Sequence, residues 1–194
     1  MRGLMAVLLL FASGILLEPV EAQEAGVAGA LLPLPESMRA ASGVVRLDAA
    51  AQPQVVRSSS NGMVCIMDRP GDASFDVRCY HESFIGAVYR AFQLGYAVAG
   101  PGVDAEVTAG SLQINDQPTA GYRCLGPAES FNPSTTSVDA RTECWQSIHF
   151  PFRTAAEIGL PDESAVPEEL RRSVPYVMGS GGYWAHVMIR HAHR

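Results

Sequence analysis

The stretch that decides the fold is MVCIMDRPGDASFDVRCYHESFIGAVYRAFQLG, residues 63–95, where the spacing of apolar residues changes after the second cysteine. Residues 63–67 have the composition of a strand, and residues 68–72 have that of a loop. After Cys79, apolar residues recur every three or four positions until Gly95, which predicts a helix over 81–94 with one face in a core. These apolar residues are Phe84, Ile85, Val88, Ala91 and Phe92.

Outward from this stretch, short β-rich runs alternate with turn signals. Residues 44–47 and 54–57 predict one hairpin. A second hairpin is predicted at the end of the chain, where residues 174–178 and 183–190 flank a Gly-Ser-Gly-Gly turn. The remaining predictions are strand-like pieces near Val107 and over 112–114, strands over 120–125 and 144–150, and short helices between Pro35 and Gly43 and from Thr154 to Gly159.

Together these elements predict the α+β class, an antiparallel sheet with a few helices on one face, stapled by disulfides. We predict a single globular domain over 35–194, because domains commonly run to about 100–200 residues. Residues 23–34 are rich in Ala and Gly and irregular in pattern, and we expect them to form a flexible tether into the domain.

The N-terminus predicts export. Arg2 precedes an apolar run from Leu4 to Leu17, and Val20-Glu21-Ala22 places small residues where signal peptidase acts. This three-part layout is that of a secretory signal peptide over 1–22. The apolar run is too short for a membrane span, which needs about 20 residues. We therefore expect a secreted or periplasmic protein whose mature chain has no membrane span.

The cysteines agree with export. Cys65, Cys79, Cys124 and Cys144 make an even count, which in an oxidising compartment predicts two disulfides. Three pairings are possible. The sequential pairing would close loops of about 15 and 21 residues, each worth roughly 3 kcal/mol. Zinc ligation is disfavoured because no CxxC pair presents two thiolates together.

The charged residues exclude several functions. The chain has a formal net charge of −6, whereas nucleic-acid binding needs a basic surface. Every basic residue is arginine, which excludes Schiff-base lysines, phosphate-binding lysines of the Walker type and Ser-Lys dyads. Arginine without lysine, beside abundant alanine, is typical of a high-GC bacterial genome.

Two segments resemble a group of uncharacterised secreted bacterial proteins. The first is SSSNGMVCIMDRPG…RCYHESF, with Asn61, Gly62, Cys65, Pro70 and Cys79 at the shared positions. The second is PYVMGSGGYWAHVMI, in which a Pro-aromatic strand, a glycine turn and an Ala-His-Val-Met-Ile strand close the domain. The resemblance covers most of residues 36–190. It departs at Met63, where the group has Trp, and at Cys124 and Cys144, which look like additions. It implies fold and compartment and brings no activity.

Familiar catalytic and metal motifs are incomplete. His81-Glu82 begins like a HExxH zinc motif, but Ile85 takes the place of the second histidine. The loop aspartates Asp68, Asp72 and Asp76 match no EF-hand spacing. Ser180 lies in a glycine turn rather than in a GxSxG nucleophile elbow. We therefore favour a binding function over catalysis, and no cofactor is implied.

The remaining candidates are histidines and their aromatic neighbours. His149 and His186 are the candidate catalytic bases, and Tyr183 and Trp184 are the candidate binding residues. In a strand over 183–190, Tyr183, Ala185, Val187 and Ile189 would face a core, and Trp184, His186, Met188 and Arg190 would face the other way. His191 and His193 are candidate ligands for a metal, although two ligands fall short of the four that structural zinc prefers.

Three functions follow from the sequence, in this order. The first is a secreted or periplasmic module that binds a small ligand or a protein. The second is a small extracellular hydrolase with His186 or His149 as its base. The third is a metal-binding protein that uses the C-terminal histidines His191 and His193.

Overall fold

The computed structural model describes residues 20–69, 71–96, 99–171 and 173–190. These residues form an eight-stranded sheet, a separate two-stranded ribbon and α-helices, which confirms the α+β class. The helices are α1 (Val20–Ala30), α2 (Glu36–Arg39), α3 (Glu82–Gln93), α4 (Pro101–Thr108) and α5 (Ala155–Ile158). The strands are β1 (Gly43–Leu47), β2 (Pro53–Arg57), β3 (Met63–Ile66), β4 (Ser74–His81), β5 (Thr119–Pro127), β6 (Phe131–Asn132), β7 (Ser137–Val138), β8 (Glu143–His149), β9 (Val177–Met178) and β10 (His186–Arg190).

The large sheet is mostly antiparallel. Its strand order is β2-β1-β3-β4-β5-β8-β10-β9, and β6 and β7 form the separate ribbon. Among the described strands of this sheet, only the neighbours β1 and β3 run parallel. The longest pairings are those of β4 with β5 and of β5 with β8, so these three strands form the centre of the molecule.

The sheet has two faces of different chemistry. Because side chains alternate along a strand, the register assigns each residue to one face. One face carries all four cysteines, and we call it the disulfide face. The other carries His149 of β8 and, directly opposite it, His186 of β10, and we call it the histidine face.

The disulfides join directly opposed residues of neighbouring strands. Cys65 of β3 is bonded to Cys79 of β4, and Cys124 of β5 is bonded to Cys144 of β8. The Cα–Cα distances are 4.0 and 4.1 Å. The pairing is therefore the sequential one among the three that the cysteine count allows.

Helix α3 packs on the histidine face, as its apolar stripe predicts. Its buried residues Phe84, Ile85 and Val88 share a core cluster with Ile66 of β3 and Tyr80 of β4. His81 caps the N-terminus of the helix, and its ring accepts a hydrogen bond from the Ser83 backbone N–H. The predicted helix over 81–94 is confirmed.

The prediction of a flexible tether over 23–34 is wrong. Residues 20–30 form helix α1, which packs on the disulfide face, and Leu31 and Leu34 are buried against Met63 and the Cys65–Cys79 bridge. The small residues that suggested irregular chain are what allow close packing. A Cβ on Gly26 would lie 2.6 Å from Met67 Cε, and one on Gly29 would lie 2.8 Å from Phe131 Cζ. Helices therefore cover both faces of the sheet, not one as we predicted.

Most of the other predicted elements are present with shifted ends. The hairpin of β1 and β2, the strands β5 and β8, and the helix capped by Thr154 are confirmed. The terminal hairpin is shorter than predicted, with β9 and β10 paired over two residues. Instead of a strand near Val107 the structure has α4, because Pro101 starts a helix and Val103 is buried against α3. Strand β4 was not predicted.

The export signal and the histidine tail fall largely outside the described residues. Residues 1–19 of the predicted signal peptide belong to this part of the chain, as do His191 and His193. Among the residues that the structure describes, none of the helices is both long and apolar enough to cross a bilayer.

Candidate functional site

A cleft of about 300 Å³ opens on the histidine face beyond α3. Its walls combine aromatic and sulfur-containing side chains with a few polar groups, which is the composition of small-molecule sites. The lining residues are Tyr80, Arg123, Trp145, Ser147, His149, Met178, Trp184, His186 and Met188. A somewhat larger groove of about 360 Å³ runs beside α1. Of the two, we consider the cleft the better candidate because polar groups from several strands converge in it.

The strand register brings the cleft residues together. Gly121 of β5 lies opposite Tyr80 of β4 on one side and opposite Ser147 of β8 on the other. A Cβ at Gly121 would lie 2.7 Å from Ser147 Oγ and 2.9 Å from His149 Nε2. Glycine therefore leaves the space into which these polar side chains converge, and its backbone forms the floor beneath them.

His149 forms the centre of the site and is buried, with 1 % of its surface exposed. Its Nε2 lies 3.1 Å from Ser147 Oγ. Aromatic rings surround it on its other sides, with centroid distances of 4.5 Å to Phe84, 4.8 Å to Trp184 and 5.6 Å to Tyr80. Packing, rather than a hydrogen-bonding acid, therefore orients this imidazole.

His186 stacks on His149, with ring centroids 5.0 Å apart. Its Nδ1 lies 2.7 Å from the Trp184 carbonyl oxygen. A carbonyl can only accept, so Nδ1 carries the proton and donates, which leaves Nε2 of His186 as the acceptor nitrogen in the neutral ring. The ring of His186 therefore stacks on the ring of a second histidine, which lies on the adjacent strand.

Both imidazoles are held in the neutral form. Burial, and secondarily the nearby His186, lower the pKa of His149 well below its ordinary value of 6.5. Burial also lowers the pKa of His186, although the hydrogen bond to the Trp184 carbonyl acts in the opposite direction. At neutral pH the pair therefore adds hydrogen-bonding capacity to the cleft but no charge.

The hydrogen bond between Ser147 and His149 resembles a nucleophile and its base, but the constellation is incomplete. A catalytic base of this kind is oriented by a third group, usually a carboxylate. Among the described residues neither imidazole hydrogen-bonds a carboxylate, and the buried Nδ1 of His149 has no partner at all. An imidazole whose pKa lies well below neutral is also a poor general base at pH 7.

Charge reaches the cleft through Arg123. Its Nε and Nη2 each donate to Asp76 of β4 at 2.8 Å, and its guanidinium lies 5.2 Å from the centre of the Trp145 ring. Asp76 also accepts hydrogen bonds from Arg78, which is almost fully buried. Burial alone would raise the pKa of Asp76, but the hydrogen bonds from Arg123 and Arg78 outweigh it and hold the pKa below its ordinary value.

The structure separates the residues that the sequence singled out. His149, His186 and Trp184 line the cleft together. Tyr183 does not line the cleft: it contacts Trp184 but is buried in the core between α3 and α4, where burial raises its pKa to about 12. His191 and His193 lie outside the described residues. Within those residues no group of three or more His, Cys, Asp or Glu side chains is placed to hold a metal ion.

Sequence reasoning missed Tyr80, Gly121, Arg123 and Ser147 as site residues. One signal for Ser147 was present, since Trp145-x-Ser147-x-His149 alternates along a predicted strand and so shares one face. The others come from β4 and β5, and only the register of the sheet brings them to β8.

Comparison of the chain with known protein families, curated proteins and solved structures finds no match. The resemblance to a group of secreted bacterial proteins therefore stays a prediction.

Proposed function

We propose that this protein is an exported module that binds a small organic ligand in the cleft on the histidine face. The observation that carries the proposal is the convergence of Trp145, Trp184 and Tyr80 with polar groups of Ser147, His149 and His186 on one cleft. Its volume of about 300 Å³ is at the lower end for ligand sites, which favours a ligand of one or two rings. No nucleic acid and no cofactor is part of the proposal.

Export is part of the same proposal. It is supported by the signal-like N-terminus and by four cysteines that form two disulfides. Disulfides persist in oxidising compartments and are rare in the cytosol. The test is mass spectrometry of the chain recovered from the periplasm or medium. An N-terminus at Gln23 and no free thiols would support export, and an intact N-terminus with four free thiols would contradict it.

The cleft carries its own reporter for a binding experiment. The chain has two tryptophans, Trp145 and Trp184, and both line the cleft. A ligand that enters should therefore change the tryptophan emission. We expect one- and two-ring aromatic compounds to do so in a saturable manner, in a fluorescence titration of the oxidised full-length protein.

A blocking variant makes this experiment specific. Ser147→Phe places a ring in the cleft and should abolish the titration, whereas Ser173→Phe, at an exposed serine away from the cleft, should leave it unchanged. Met178→Phe is a second blocking variant in case Ser147→Phe unfolds, as judged by circular dichroism. Binding that both blocking variants retain, or no binding by any compound of the set at millimolar concentration, would overturn the proposal.

A hydrolase is the second candidate, because Ser147 Oγ lies 3.1 Å from His149 Nε2. We propose binding ahead of it because no acid orients His149 among the described residues and its pKa lies well below neutral. A fluorophosphonate probe separates the two functions, since it reacts with activated serines. We expect no labelling. Labelling that is lost in Ser147→Ala but kept in Ser173→Ala would favour the hydrolase instead.

A further inference from the structure

A guanidinium forms the polar end of the cleft. Arg123 lines the cleft, whereas Arg78 lines a neighbouring pocket together with Asp68, Asp72 and Asp76, and both arginines donate hydrogen bonds to Asp76. Arg78, Arg123 and Asp76 also act on the hydroxyl of Tyr80 in the cleft: burial raises its pKa, the two arginines lower it and Asp76 raises it. The polar end of the cleft therefore lies in the field of this cluster.

Arg123 keeps donor capacity to spare. Its Nε and Nη2 are occupied by Asp76, but its Nη1 makes no hydrogen bond within the part of the chain that the structure describes. Asp76 holds the guanidinium through two parallel bonds, and the Trp145 ring lies beneath it. The side chain is therefore fixed before any ligand arrives, which reduces the entropy lost on binding.

The described lining of the cleft contains no acidic side chain. Both histidines among its nine residues are held neutral, and the carboxylates that act on the site, Asp76 and Glu163, lie outside the lining. Aromatic walls alone would also suit an organic cation. A cation, however, would have to lie beside Arg123, and an uncharged ligand would leave the guanidinium field unused.

We propose that the cleft selects small planar organic acids, with the acid group on Arg123 Nη1 and the ring against Trp145 and Trp184. This inference rests on the proposed function and names its ligand class. The acid can be a carboxylate or a sulfonate, because both offer oxygen acceptors to a guanidinium. The role of Trp145 is twofold, since it both supports the guanidinium and borders the space for the ring.

The test compares a planar acid with an uncharged molecule of the same shape. Binding of 2-naphthoate, 2-naphthalenesulfonate and 2-naphthamide to the oxidised protein is measured by isothermal titration calorimetry. We expect both acids to bind at least roughly tenfold more tightly than the amide, as charge-assisted hydrogen bonds are stronger than neutral ones. The preference should decrease as salt is added, because Arg123 is partly exposed.

Variants of Arg123 assign the preference to this side chain. Arg123→Gln should bring the acids to the affinity of the amide in the same variant, and Arg123→Lys should restore part of the preference. Arg141→Gln is the matched control, because Arg141 is an exposed arginine that pairs with Asp139 and Glu129 instead. Thermal unfolding confirms that each variant is folded.

The outcomes separate this inference from the proposed function. Equal binding of acids and amide, lost in Ser147→Phe, would overturn anion selection and leave the binding cleft standing. A preference that survives in Arg123→Gln would overturn the role of Arg123. If none of the three compounds binds at millimolar concentration, the proposed ligand class is wrong. The proposed function is then tested by the fluorescence titration with the other one- and two-ring aromatic compounds.

Discussion

At the residue scale, the site is defined by what surrounds His149 and Gly121. His149 is buried in a box of aromatic rings, hydrogen-bonds Ser147 and stacks on His186. Gly121 gives these side chains their space because any larger residue would contact them. Each residue gives rise to a prediction that does not depend on knowing the ligand.

The buried histidines make stability depend on pH. The pKa of His149 and that of His186 are lower in the folded protein than in the unfolded chain, so below pH 6.5 the unfolded state binds more protons. The free energy of unfolding should therefore decrease as the pH is lowered below about 6.5, by at most about 1.4 kcal/mol per pH unit for each histidine. Above that pH the two histidines should have little effect on stability.

Urea unfolding at pH 5, 6, 7 and 8 measures this dependence. The slope below pH 6.5 should be smaller in His149→Phe, which keeps a ring in the box and removes the titrating group. A free energy of unfolding that stays constant between pH 5 and 7 in the wild type would show that the histidines are not held neutral.

Gly121→Ala should destabilise the protein, whereas the same change at Gly86 should not. At Gly121 the new methyl group would overlap Ser147 Oγ and His149 Nε2, and overpacking of this kind costs about 1–3 kcal/mol. Gly86 lies in α3, where an added Cβ would meet no neighbouring atom within 4 Å, so alanine there should stabilise by about 0.4–1 kcal/mol. Thermal and urea unfolding of both variants give the comparison, and a neutral Gly121→Ala would mean that the floor of the cleft is not tightly packed.

At the element scale, α1 and the turn after it are part of the core. Leu34 is 1 % exposed and lies with Val44 of β1 and Met63 of β3 on the disulfide face. The segment looked like a tether because Ala and Gly give a weak hydrophobic pattern. Its glycines instead permit contact with Met67 and Phe131.

Leu34→Ala should therefore cost about 2–5 kcal/mol of unfolding free energy, the usual range for a large-to-small change in a core. Leu170→Ala is the matched control, because Leu170 is exposed on a surface turn, and it should change stability by less than about 0.5 kcal/mol. If the two substitutions have equal effects in urea unfolding, residues 23–34 behave as a tether and are not part of the core.

At the scale of the whole molecule, one disulfide joins β3 to β4 and the other joins β5 to β8. Removing one pair by Cys65→Ala with Cys79→Ala, or by Cys124→Ala with Cys144→Ala, should lower the free energy of unfolding by roughly 3 kcal/mol in each case. Thiol titration of the denatured wild type should find no free thiol. Four free thiols, or double variants as stable as the wild type, would contradict the stapled fold.

The sequence was sufficient for the elements whose pattern is local. Helix α3 has a clear stripe, and the hairpins have turn residues between β-rich runs. Strand β4 was missed although residues 75–79 alternate between apolar and charged side chains, which is the pattern of a half-buried strand. The site was only half predicted because His149, His186 and Trp184 stand out in the sequence, whereas Gly121 and Arg123 reach the site through pairing with distant strands.

The two faces of the β5–β8 strand pair have a consequence for protein engineering. The bond between Cys124 and Cys144 lies on one side of this strand pair, and Trp145 and Ser147 lie on the other. Alternate positions of the same strand can thus be changed independently, since neighbours along a strand point to opposite faces. A library randomised at Trp145, Ser147 and Met188 would keep the covalent framework in every member. Substitutions on the histidine face could therefore change ligand specificity, while the disulfides on the opposite face continue to stabilise the fold.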